Sequence, residues 1–108
     1  MKAMAENYRE IIDEIVKRVV EKVNPLKVIL FGSYAYGSPS KDSDIDLLVI
    51  KDSSIPRHHR SKEIRSILRG MKVAVDIIVY TPEEIRKWEG IDTAFITGVL
   101  KKGKVLYG

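Results

Sequence analysis

The sequence predicts an α+β sandwich, a single sheet with helices packed against it. Three observations carry that reading. Short apolar runs of strand length occur at 27–31, 45–50 and 72–80. Amphipathic segments with helical spacing precede and follow them. Glycine, proline and asparagine stand at the junctions. The resulting order is α-β-turn-β-α-β-α-α-β. It admits either βαβ crossovers or a sheet of mixed strand direction.

Each element has its own warrant. Over 5–23, Tyr8, Ile11, Ile12, Ile15, Val19 and Val23 fall on one helical face. Asp13–Lys17 and Glu14–Arg18 are i,i+4 pairs on the other face, and Asn24-Pro25 closes the helix. KVILF (27–31) is a buried strand that Gly32-Ser33 ends sharply, with one helical turn expected after Ser33. IDLLVI (45–50) is a second buried strand, and 52–56 is a loop. Residues 57–70 read as a helix with Ile64, Ile67, Leu68 and Met71 inward and Gly70 as its cap. KVAVDIIVY (72–80) is the third strand. Thr81, Pro82 and Glu84 then form a helix start with N-cap, N1 proline and N3 acid. A last helix over 91–101 turns Phe95, Ile96, Val99 and Leu100 inward, Gly103 ends it, and KVLY closes the sheet.

The chain of 108 residues reads as one domain, 1–108, large enough for one core. It has no cysteine, which excludes a disulfide framework and thiolate metal sites. No apolar run approaches the roughly 20 residues of a bilayer span. The N-terminus mixes charged and apolar residues, unlike a signal peptide, so the expected location is the cytoplasm. The net charge of +4 suits a solvated surface or a polyanionic partner.

The carboxylates are the anomaly. Asp44 and Asp46 have D-x-D spacing, so in a strand both project from one face. Two anions that close need compensation, and a divalent cation with a taste for hard oxygen ligands supplies it. Asp76 interrupts the third apolar run, in an expected mid-strand position. If the second and third strands are neighbours, the three acids converge and suit a two-metal arrangement for phosphoryl displacement. The rival reading makes each acid a turn former, a cap or a salt-bridge partner. Gly32 and Ser33 form a strand–Gly–Ser–turn unit whose backbone permits close approach of a ligand and whose free amides suit phosphate oxygens.

The stretch FGSYAYGSPSKDSDIDLLVI resembles the signature of the minimal nucleotidyltransferase family, within the DNA polymerase beta-like superfamily. The match falls on Gly32, Ser33, Gly37, Ser43, Asp44, Asp46, Leu47 and Val49, with Asp76 similar to the superfamily's third carboxylate. It extends over residues 27–85. The chain departs from the pattern at Tyr34 and Tyr36, where many members carry arginine. The resemblance implies a polymerase beta-type fold, a central mixed sheet flanked by helices. It implies transfer of AMP from ATP to a hydroxyl with two Mg²⁺ ions, or Mn²⁺ in their place. Asp44, Asp46 and Asp76 become the metal ligands and catalytic acids, with Asp76 also helping to deprotonate the acceptor. Gly32, Ser33, Gly37 and Ser43 become the nucleotide and phosphate contacts. The implied acceptor is a tyrosine of a HEPN-domain toxin, for which this chain is the antitoxin, as a homo- or hetero-oligomer. A non-catalytic antitoxin acting by contact and a small-molecule nucleotidyltransferase are the alternatives. Neither a membrane nor a nucleic acid is expected as direct partner.

Other residues have less specific readings. His58 and His59 diverge by about 100° if helical, which argues against a shared ion. Lys62, Arg65 and Arg69 make a basic stripe that is either solvated or faces an acidic partner. Trp88, Ile91 and Phe95 fit a partner contact or the core.

Overall fold

The computed structural model describes residues 2–36, 44–71, 73–89, 91 and 94–108. Helix α1 (Lys2–Val23) starts earlier than expected and buries Ile15, Val19 and Val23. Asn24 ends it in the left-handed region (φ 49°), its amide donating to the Val20 carbonyl at 3.1 Å. Strand β1 (Lys27–Phe31) and β2 (Ile45–Ile50) follow with the boundaries read from sequence, and the helical turn expected after Ser33 is the short α2 (Ser33–Tyr36). So do the start of α4 (Pro82–Trp88) and strand β4 (Lys104–Tyr107).

Three expected boundaries move. Helix α3 (Arg57–Ile67) stops before residue 70, and Gly70 turns the chain at φ +91° after the helix has ended. Strand β3 (Val75–Tyr80) begins later than 72, a residue outside those described. Helix α5 (Phe95–Lys102) is shorter than 91–101 implied, and of its four expected inward residues only Ile96 and Val99 are buried. Those two, three positions apart, form one inward line. Phe95 and Leu100 lie about 70° to either side of it and stay exposed.

The sheet order is β3-β2-β1-β4. Strands β1/β2 and β1/β4 are antiparallel, while β2/β3 are parallel, joined through α3. The sheet is therefore mixed, with β2 between two partners and apolar on both faces (Ile45, Leu47 and Val49 on one, Leu48 and Ile50 on the other). The first set packs with Ile15, Val19, Ile64, Leu68, Ile77 and Val79 beneath α1 and α3. The second packs with Ile29, Ile96 and Val99 beneath α5, with Ile85 of α4 at its margin. The second core is smaller, and it stops where the acids begin.

Candidate active site

Alternation along β2 puts Asp46 on the same face as Leu48 and Ile50, and Asp46 is the strand's one partly open position. In the parallel ladder Asp46 pairs with Asp76 at the Cα level. Paired residues in adjacent strands project to the same side, so the two carboxylates share a face. Asp44 lies one residue before β2 and is exposed. Burial pushes the Asp46 carboxyl above its ordinary range, and the charges of Asp76 and then Asp44 push it further in the same direction. The second and third strands are therefore neighbours, as the convergence of acids requires, and they bring Asp46 and Asp76 to one face.

The position of Asp76 differs from expectation. It is the second residue of β3, near the strand's start, with its side chain 58% exposed. β3 is an edge strand, so an acid there meets water instead of core. The Arg65 guanidinium lies 3.8 Å from it, a loose and solvated ion pair.

Gly32 explains how Asp46 fits. Phe31 opposes Asp46 in the β1/β2 ladder, and the chain leaves β1 through Gly32 at φ +75°. A Cβ at Gly32 would collide with Asp46 Oδ2. The protein's own carboxylate thus makes a close approach at this glycine. Ser33 begins α2, whose turn is closed by the Ala35 amide donating to the Gly32 carbonyl at 3.0 Å. Gly37 and Ser43 lie outside the described residues.

Tyr34 packs its ring on Tyr8 of α1, with centroids 5.0 Å apart. Its hydroxyl is buried with no hydrogen-bond partner among the described residues. Burial raises it to about 12, helped by Tyr8 and then by Asp44. Tyr34 therefore fills the space under α2, and its side chain does not replace an arginine facing a phosphate.

A cleft of about 350 Å³ opens beside Asp76 at the β3 edge, lined by Arg57, His58, Arg65, Tyr80 and Phe95 among others. The Arg57 guanidinium sits 4.9 Å above the Tyr80 ring. Sequence reasoning singled out Arg65 and Phe95 but not Arg57, because nothing local ties the start of α3 to Asp76. The His58 and His59 rings lie 4.1 Å apart, contrary to the divergence expected of adjacent helical side chains. They occupy the first turn of α3, where exposed side chains are free to swing together.

Among the described residues, no group of three or more His, Cys, Asp or Glu side chains is close enough to cage a metal unaided. The donor set still suits Mg²⁺, which is commonly held by one or two carboxylates and completed by phosphate oxygens and water. Burial raises Asp46 first, and the repulsion from Asp76 and Asp44 that adds to it is the deficit of positive charge such an ion would fill.

The family described as nucleotidyltransferase domain matches residues 12–105. A protein of Methanocaldococcus jannaschii, provisionally named a protein adenylyltransferase, is 34% identical over 100 residues, covering 84% of this chain and 96% of that protein. A crystal structure from Sulfolobus solfataricus, provisionally described as a nucleotidyltransferase, superposes with a TM-score of 0.63 at 26% identity, covering 91% of this chain and 78% of that one. A toxin–antitoxin complex crystallised with AMP-PNP also gives a TM-score of 0.63, at 23% identity, covering 89% and 72%; that likeness is one of fold. No helix among the described residues is long and apolar enough to cross a membrane. With a mixed sheet, a glycine-serine turn and facing aspartates on adjacent strands, the chain belongs to the polymerase beta-like nucleotidyltransferase domain family and is a transferase enzyme.

Proposed function

We propose that the protein transfers AMP from ATP to a tyrosine hydroxyl of a HEPN-domain toxin in the cytoplasm, and so serves as the antitoxin of the pair. One observation carries the reading: Asp46 and Asp76 face the same side in register, with Asp46 seated over the turn at Gly32. The M. jannaschii relative's name and the AMP-PNP bound by the toxin–antitoxin neighbour support it.

Gly32, Ser33 and the start of α2 seat the β- and γ-phosphates, with Gly37 and Ser43 completing the nucleotide contacts. Asp44 and Asp46, joined by Asp76, hold Mg²⁺ or Mn²⁺, which when bound neutralises the triphosphate and the charge developing on it. The acceptor oxygen forms a bond to the α-phosphorus. The bond from that phosphorus to the bridging oxygen breaks, and pyrophosphate leaves with the electron pair. Asp76, open to solvent, takes the hydroxyl proton.

The test is incubation with α-labelled ATP, Mg²⁺ and a HEPN-domain protein as the candidate partner. Label on a tyrosine of that protein is the expected result. Tight association without label overturns catalysis in favour of neutralisation by contact. Label on small hydroxyl compounds, with the protein untouched, selects a small-molecule transferase.

A further inference from the structure

The cleft beside Asp76 has a defined place relative to the phosphate turn. Strand order puts Gly32 at the end of β1, Asp46 on β2 and Asp76 on β3, in a row across the sheet. In-line displacement requires the entering and leaving oxygens on opposite sides of the α-phosphorus. With pyrophosphate seated at Gly32 and Ser33, the acceptor oxygen enters from the β3 side, at the mouth of this cleft.

The walls have a chemistry of their own. Arg57 and Arg65 are exposed, and His58 lies beside them; Asp76 is the one acid among the described lining residues. Phe95, 59% exposed, forms the opposite lip. A basic wall beside the exposed Phe95 matches a protein segment that presents acidic residues next to an apolar contact.

We infer that this cleft is the acceptor site, where Arg57 and Arg65 select a hydroxyl-bearing protein segment flanked by acidic side chains. The inference rests on the transfer reading above. Charges at the rim of a recognition site act on encounter and affinity more than on chemistry, so the selection belongs in the acceptor KM and weakens with salt.

Its test uses α-labelled ATP, Mg²⁺ and three synthetic acceptors: a tyrosine peptide flanked by glutamates, the same peptide flanked by lysines, and a short RNA with a free 3′ hydroxyl. The glutamate peptide is expected to have about tenfold higher kcat/KM than the lysine peptide, the difference lying in KM. Arg57→Glu is expected to erase or invert that preference, and Arg57→Lys to keep it. Unchanged ATP-induced thermal stabilisation of both variants excludes misfolding as the cause. Equal use of the two peptides, a preference that survives Arg57→Glu, or no label on either peptide overturns the inference. RNA labelled ahead of both peptides overturns it while nucleotidyl transfer stands. Label on the HEPN protein alongside indifferent peptides leaves the transfer reading intact. No label on any acceptor, that protein included, overturns both.

Discussion

Two partly buried carboxylates, Asp46 and Glu84, sit on opposite terms with the protein around them. Glu84 closes the capping box of α4: its carboxylate accepts from the Thr81 amide at 2.9 Å, and the Thr81 hydroxyl accepts from the Glu84 amide at 3.2 Å. Arg60 of α3 grips the same carboxylate with two hydrogen bonds, 2.5 and 3.2 Å long. That guanidinium also donates to the carbonyls of Ile55 and Val79. Glu84 is held below the usual carboxylate range, chiefly by Arg60, with burial opposing. Asp46 is driven above it by burial and by two neighbouring acids. A carboxylate with its own cation is a fastener. A carboxylate crowded by others, with no paired cation among the described residues, is poised for one from outside.

The contrast can be broken at either end. The largest expected effect is at Asp46. Asp46→Asn should cut nucleotide transfer by about a thousandfold, on the scale of losing an electrostatic contact to the transition state. Its Tm at pH 7 should rise, because the repulsion goes too. Label transfer and calorimetry on one preparation check both, and a lower Tm would contradict the charge-deficit account. Arg60→Met should lower stability by about 2–3 kcal/mol in urea unfolding, since it strands a partly buried carboxylate. Gly32→Ala should cost about 1–2 kcal/mol, from positive φ and the collision with Asp46. In an Asp46→Ala background that cost should shrink, and strict additivity in the double-mutant cycle would rule the collision out.

The smallest effect is in pH dependence, and its signs are opposite. Glu84 has a lowered folded pKa, so its contribution is complete above the ordinary carboxylate range and is lost as pH falls through the lowered value. Asp46 has a raised one, so its penalty is complete above the raised value and is relieved as pH falls. Urea unfolding from pH 3 to 8 should show Glu84→Gln flattening the acid loss of stability and Asp46→Asn steepening it. Parallel profiles would dissolve the distinction.

Much of this was legible in the residues. The boundaries of β1 and β2 followed from apolar runs against Gly32 and Asp44. The α4 cap followed from Thr81, Pro82 and Glu84, a purely local device. Asp76 was recognisable as an acid in an apolar run, yet its depth was misjudged. Whether a strand lies at the edge is a property of the sheet, and among the described residues β3 has no neighbour on its outer side. Phe95 and Leu100 were misread for a related reason: an eight-residue helix over a small core buries a narrow line, and hydrophobicity alone does not give its width.

The amino-acid sequence alone determined the element order, the D-x-D spacing and the glycine that must follow β1, because these depend on nearest neighbours along the chain. Only the tertiary structure decided that β2 and β3 run side by side and parallel, that Asp46 sits over Gly32, and that Arg60 serves Glu84 while Arg57 borders the cleft beside Asp76. These pairings join residues distant in the chain. Their geometry is set by which apolar faces bury together, and no local spacing encodes it.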